Sequence, residues 1–414
     1  MTTPPLDLRS LLARRKPGHS LEAPFYTDEA MFEYDMKHIF GQHWIYAGPA
    51  ASVPQDGDFF TIEVGRTSVL IVRDDAMQIN AFHNVCRHRG SRLCNEQKGA
   101  VGNLVCPYHQ WTYNLQGSLM FAEHMGPAFD RSGHNLKPVH LRNIAGLLFI
   151  CLADKPPADI DDMAREMTPY IAPHQIADCK VAVEIDIVED CNWKLTMENN
   201  RECYHCRANH PELTISLYEY GFGYAPTAQT GEGIEQYERI LASRHAQWEA
   251  IGLPCAEIEH LDDCVSGFRT QRLPLDRAGE SQTMTGKAAS RKLLGQFNQA
   301  DLGALSFWTQ PNSWHHFMAD HVVTFTVLPI SAEKTRVRTT WLVHKDAVEG
   351  GDYNIADLTA VWVATNAQDR MLVEQSQKGI RSGAYEPGPY SPFTEGLVDK
   401  FCNWYTGRLA ALAE

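Results

Sequence analysis

The sequence has no apolar run close to the ~20 residues a helix needs to span a bilayer, and it has no long basic block. Its formal net charge is −14, so the basic patch or stripe that grips nucleic acid is missing as well. The N-terminal stretch MTTPPLDLRSLLARRKPGHS lacks the apolar core of a secretory signal. Its Arg-rich, helix-like piece is at most a weak organelle address. The expectation is a cytoplasmic protein with neither membrane nor nucleic acid as partner. The 11 cysteines are odd in number and irregular in spacing, which favours thiols and metal ligands over a disulfide framework.

What is present is an ordinary globular composition, 44% apolar and 21% charged. A chain of 414 residues exceeds what one hydrophobic core supports, so two domains are expected. Residues 1–41 read as a helical segment, with DEAMFEYDMKHIF amphipathic. Residues 42–153 change to short strands, DFFTIEV, TSVLIVR, QINAFHNV and GLLFICL, separated by turn signals. ADKPPADIDD reads as a linker, and residues 154–414 mix types. KVAVEIDIVED alternates as a half-buried strand, and IEQYERILASRHAQWEA is a helix. HVVTFTVLPISAEKTRVRTTWLVH is a hairpin turning at Ser331–Lys334. IADLTAVWVATNAQDRMLVEQSQKG is a long helix expected to end at Gly379. Residues 252–300 show no period and read as a lid or loop over a site.

The first constellation of ligands lies in FHNVCRHRGSRLC and LVCPYHQWTY. Cys86-x-His88 is followed, after seventeen residues, by Cys106-x-x-His109. A zinc tetrahedron could use two Cys and two His, but zinc fingers group like with like. Here each short loop offers one of each. That interleaving suits a two-iron cluster with two thiolates on one iron and two imidazoles on the other. Loops turning at Gly90 and Pro107 can aim backbone N–H groups at its sulfurs. Cys94 fits neither pair. The CRHRG…CPYHQW pattern resembles the Rieske motif of the Rieske non-haem iron oxygenases, specifically their catalytic large (alpha) subunit, and that resemblance implies a second iron site further along.

NWKLTMENNRECYHCRANHPEL offers candidates for it. Cys203-x-x-Cys206 is a rival zinc or redox motif; on a helix its face would lie about 100° from that of Glu202 and His205. In the late helix, Asp369 falls inside an apolar stripe of Leu358, Val361, Trp362, Thr365, Leu372 and Val373. A carboxylate placed inward calls for a cation. Two His and one carboxylate with open positions make the facial triad of non-haem Fe(II) oxygenases. Glu-x-x-His-x-x-x-x-His followed by Asp in AQDRMLVEQ resembles the family's mononuclear site, which implies His205, His210 and Asp369 as iron ligands. It also implies Glu202 as a bridge between this site and the cluster of a neighbouring subunit, where His109 would meet it. Most relatives carry Asp there.

The resemblance covers almost the whole chain. NNRECYHC, WLVHKDAVEG and AYEPGPYS resemble the branch that demethylates quaternary ammonium compounds: glycine betaine, stachydrine and carnitine. It implies an α+β fold, with a small all-β Rieske domain and a larger helix-grip (START-like) α/β catalytic domain built on an antiparallel sheet. It implies a [2Fe–2S] cluster, mononuclear Fe(II), O₂ as co-substrate, an NAD(P)H-dependent ferredoxin or flavin reductase as electron donor, and a homotrimer. A quaternary ammonium is held by aromatic faces, and SFWTQPNSWHHFMADH supplies Phe307, Trp308, Trp314 and Phe317. They could form a cage or merely a core-facing strand, and His315, His316 and His321 are open in the same way. Phe307, Trp308, Trp314 and His316 are the expected substrate contacts. An aromatic-ring hydroxylating dioxygenase alpha subunit is the competing enzyme. A pure electron carrier would need only residues 42–153, and a zinc scaffold would be colourless.

Overall fold

The computed structural model describes residues 7–218 and 232–413. Strands Ile45–Pro49, Leu147–Cys151 and His140–Ile144 form one small antiparallel sheet, in the spatial order given. Asp58–Val64, Thr67–Arg73, Ile79–His83 and Lys98–Ala100 form a second. Three short strands, Leu104–Val105, Thr112–Tyr113 and Leu119–Phe121, carry the second Cys/His loop. Alternation explains the buried strands: Phe60, Ile62 and Val64 are buried while Thr61 and Glu63 are partly exposed.

The larger sheet has seven antiparallel strands. It begins at Cys179–Glu189 and passes through Lys334–His344, His321–Ser331, Ser313–Phe317, Ala304–Thr309 and Phe268–Leu273 to Ile258–His260. One face packs Trp314, Val323, Phe325 and Trp341 against Leu358, Val361 and Trp362 of the helix Ile355–Ile380. The other packs Leu305, Phe307, Phe317, Val322 and Leu342 against the helix Ile160–Ile171. A curved antiparallel sheet closing on one long helix is the helix-grip arrangement. Asn312 ties the two parts of the chain, accepting the Tyr46 N–H at 2.9 Å and donating to the Tyr46 carbonyl at 3.0 Å.

The N-terminal segment is anchored by a buried ion pair. Asp35, at the end of the helix Glu29–Asp35, accepts from Lys194 Nζ at 2.5 Å, Tyr405 Oη at 2.6 Å and Trp193 Nε1 at 3.0 Å. Asp35 and Lys194 are both fully buried.

Several expectations need correction. The long helix runs past Gly379 to Ile380, because Arg381 N–H still reaches the Gln377 carbonyl and Ile380 is buried in the core. The end of ADKPPADIDD already belongs to the helix starting at Ile160. Residues 252–300 contain the strands Ile258–His260 and Phe268–Leu273 at the sheet edge. Glu202 and Cys203 lie between the helices Trp193–Asn199 and Cys206–Asn209, in irregular chain, so the helical-face argument for them does not apply. Cys203 and Cys206 are joined in a disulfide, against the expectation of free thiols.

Candidate metal centres and substrate cavity

The four Cys/His residues of the first constellation converge. Each pair sits on a loop that folds back on itself: Gly90 N–H donates to the Cys86 carbonyl, and Gln110 N–H to the Cys106 carbonyl. Both turns need a left-handed residue, supplied by Gly90 (φ 79°) and Gln110 (φ 58°). The thiols are buried and point inward, while the His88 and His109 rings lie 4.7 Å apart at the exposed end. His109 Nδ1 is buried without a hydrogen-bond partner, as a ligand atom awaiting a metal would be. Tyr113 Oη, 3.4 Å from Cys86 Sγ, accepts the Arg87 N–H at 3.0 Å. Burial pushes the Cys86 thiol up, with Tyr113 pulling it the other way. The donor set fits a Rieske cluster. Cys94 stands outside the four, its backbone N–H and carbonyl both bonded to the Asn84 side chain.

The second constellation brings together residues about 160 apart in sequence. Asp369 Oδ1 lies 3.0 Å from His210 Nε2 and 3.3 Å from His205 Nε2. Asp369 Oδ1 and His210 Nε2 are buried and make no hydrogen bond. The outer nitrogens are committed elsewhere. His205 Nδ1 is 2.5 Å from Glu202 Oε1, and His210 Nδ1 is 2.8 Å from Gln368 Oε1, whose amide donates in turn to Glu212 at 2.7 Å. Burial pushes His205 down, but Asp369 and Glu202 outweigh it and raise it to about 9. Burial pushes Asp369 up, and the two imidazoles more than offset this, so it ends below its ordinary value. The pocket therefore calls for positive charge between three inward ligand atoms. A dication fits there, held as the facial triad requires and oriented from outside by Glu202 and Gln368. Cys206 Sγ also lies near both imidazoles, but the disulfide occupies it.

The triad opens into a cavity of about 1000 Å³, open to solvent on one side. Trp308 and His316 line it. Phe307 does not: strand alternation turns it to the opposite face, into the core with Leu305 and Phe317. Trp314 lies opposite Trp308 in the register but is covered by Phe325, with ring centroids 4.8 Å apart, and is no cavity contact. Among the aromatic residues that sequence reading left out of the cavity is Trp362, stacked on His316 at 4.6 Å. It stands on the helical stripe seven residues before Asp369, and that spacing was the available signal. Burial pushes His316 down to about 3, which leaves its ring neutral. Arg201, Arg269 and Gln282 also line the cavity; Arg201 lies within NNRECYHC, while Arg269 and Gln282 carry no sequence motif.

Known proteins resemble this chain along nearly its full length. Residues 43–138 match the Rieske [2Fe-2S] domain, and residues 176–411 match the ring hydroxylating alpha subunit (catalytic domain). The glycine betaine monooxygenase oxygenase subunit of Pseudomonas aeruginosa (strain UCBPP-PA14) is 46% identical over 402 residues, 96% of this chain and 91% of that one. The carnitine monooxygenase oxygenase subunit of Escherichia coli (strain K12) is 31% identical over 202 residues, 48% of this chain and 54% of its own. A quaternary ammonium Rieske monooxygenase crystallised with L-carnitine has the same fold, with TM-score 0.70 at 20% identity over 98% of this chain and 99% of that one. Naphthalene 1,2-dioxygenase from Rhodococcus sp. shares it too, with TM-score 0.69 at 18% identity over 98% of each chain. The chain belongs to the Rieske non-haem iron oxygenases, as an alpha subunit of the ring-hydroxylating type: an oxidoreductase of a family that works with a [2Fe–2S] cluster, mononuclear iron and O₂.

Proposed function

We propose that this chain is the oxygenase component of a monooxygenase that hydroxylates an N-methyl group of a glycine betaine-like quaternary ammonium substrate, releasing formaldehyde and the demethylated amine. The observation that carries this is the 46% identity to glycine betaine monooxygenase oxygenase subunits along nearly the full length of both chains. The identity to the biphenyl 2,3-dioxygenase alpha subunit of Rhodococcus jostii is 30%, over 63% of this chain, so the aromatic-ring reading is the weaker one.

In this reading Cys86, His88, Cys106 and His109 hold the cluster, and His205, His210 and Asp369 hold the iron. Loaded, the two centres supply single electrons and the activation of O₂. The protein's own groups do the rest. Glu202 accepts the Nδ1 proton of His205 and fixes that ring's tautomer and aim. Gln368 does the same for His210. Trp362 offers an aromatic surface to a cation that cannot donate a hydrogen bond, and the neutral His316 stacked on it adds no repulsion. O₂, two electrons and two protons put one oxygen on the methyl carbon and release the other as water. The N-hydroxymethyl product then expels formaldehyde, its amine leaving with the proton of its hydroxyl.

Glu202 is also the proposed bridge to His109 of the partner subunit in a homotrimer. The loops that hold the cluster expose Val85, Val105 and Tyr108, and Tyr204 beside Glu202 is 62% exposed. Apolar rims around both centres suit a contact that brings one chain's cluster to the next chain's iron. An NAD(P)H-dependent ferredoxin or flavin reductase would deliver the electrons, in the cytoplasm, where reduced nicotinamide is made. The test is to incubate the iron-loaded enzyme with betaines, O₂ and an electron source. Formaldehyde is the expected product; a cis-diol from an arene, with no formaldehyde from any betaine, overturns the proposal.

A further inference from the structure

The cavity contains a buried cation that no carboxylate among the described residues neutralises. Arg201 is 3% exposed. Its guanidinium makes two side-chain bonds, both to neutral groups: Nη1 to Asn200 Oδ1 at 3.0 Å and Nη2 to the Thr309 carbonyl at 3.2 Å. Nε is buried and has no partner. Among the described residues, no carboxylate lies within ion-pair distance of Arg201. A guanidinium cannot escape by losing its proton at neutral pH, and a buried ion without a counter-charge costs several kcal/mol.

A second guanidinium stands beside it. Arg269, 4% exposed, lies directly across the sheet from Trp308, and its guanidinium sits 4.8 Å over that indole ring. Its one acidic partner, Glu257 at 3.0 Å, is half-exposed to water. Burial and the charge of Arg269 both push Arg201 down, so the two cations are felt at one place. Arg201 is bonded to the Thr309 carbonyl and Arg269 lies over Trp308, so both positive groups gather at the Trp308 strand of the cavity.

Resting on the demethylase reading above, we infer that Arg201, with Arg269, forms the carboxylate-binding pole of the cavity, and that the enzyme selects N-methylated substrates carrying a carboxylate on the same molecule. The substrate anion completes the hydrogen bonding of Arg201. Arg269 occupies one face of Trp308 and repels a quaternary ammonium from it. The N-methyl end is thereby turned toward Trp362, whose helix face also carries Thr365 and Asp369. Trimethylated cations without an acid group would leave the Arg201 guanidinium unanswered.

The test uses the fully iron-loaded enzyme, assayed for formaldehyde with glycine betaine, choline and tetramethylammonium. The expected kcat/KM for glycine betaine exceeds that for the other two by about 100-fold or more, the scale on which a polar site rejects an analogue lacking the group it binds. Arg201→Gln should raise KM for glycine betaine by about tenfold or more and collapse its advantage over choline, and Arg201→Lys should restore part of both. The Rieske absorption reports whether each variant has folded. If Arg201→Gln does not fold, Arg269→Gln carries the test with the same two outcomes. Formaldehyde from all three compounds at similar kcat/KM, unchanged in the variant, overturns this inference and leaves the demethylase reading standing. Formaldehyde from none of them overturns both.

Discussion

Glu202 Oε1 lies 2.5 Å from Nδ1 of His205, while the other nitrogen of that ring faces Asp369. One carboxylate therefore touches the proposed iron site through its ligand without entering it, and does so from a turn whose neighbour Tyr204 is exposed. Glu202→Gln keeps the length and loses the charge. Both metals should still bind, and the Rieske absorption should be unchanged. Single-turnover oxidation of the reduced cluster should slow by about 10-fold or more, the scale on which such outer partners act. Rates equal to wild type would remove Glu202 from the electron route.

His205→Ala deletes one of three inward ligand atoms and leaves the cluster loops intact. Iron analysis should fall by about one atom per chain, the brown cluster should persist, and formaldehyde release should drop to background. Normal turnover by this variant would show that the triad is wrongly assigned.

Gln368 holds His210 Nδ1 at 2.8 Å and is itself held by Glu212. Gln368→Leu should weaken mononuclear iron binding by about 10–100-fold. Titration of the protein with Fe(II) while monitoring restored activity measures this, with cluster absorption as the internal control.

Asp35→Asn should be among the most damaging changes outside the metal sites. It leaves Lys194 without its counter-ion in a fully buried position, where burial already pushes the lysine down and Asp35 pushes back. Breaking such a pair costs about 3–5 kcal/mol. Thermal melting should show the loss, and proteolysis should begin in residues 8–40, which Asp35 anchors.

Glu198 gives the fold a pH dependence. It accepts from Tyr26 Oη at 2.8 Å and Tyr390 Oη at 3.3 Å, yet burial, the largest influence, raises it from 4.5 to about 7. The folded chain thus holds a proton that the unfolded chain releases between these values. The contribution of Glu198 is fully favourable below pH 4.5 and is lost as pH rises through about 7, a change of up to about 3 kcal/mol. Glu198→Gln should flatten the fall in melting temperature between about pH 5 and about pH 8. A slope equal to that of wild type would show that the carboxyl does not titrate in this window.

The two cluster loops were legible because their chemistry is local: each needs one Cys, one His and a tight turn within a few residues. The strands and the long helix were legible because burial imposes periods of 2 and 3.6. Asp369 could be read for the same reason, as a carboxylate out of place on an apolar stripe. The aromatic strand was legible only as a composition. Phe307 and Trp308 are adjacent, and only the pairing of that strand with its neighbours decides which of the two faces the cavity.

By itself, the sequence determined the ligand types, their spacing, and the family to which both belong, since those depend on contacts within one loop or one helical turn. Tertiary structure decided what depends on distant segments meeting: Trp362 against His316, Gln368 behind His210, Asp35 beneath Lys194, and Arg201 buried near Arg269 with no acid among the described residues to answer it. A charged side chain reads the same in a sequence whether water or a wall surrounds it. Its energy differs by several kcal/mol between the two, and only the folded chain says which applies.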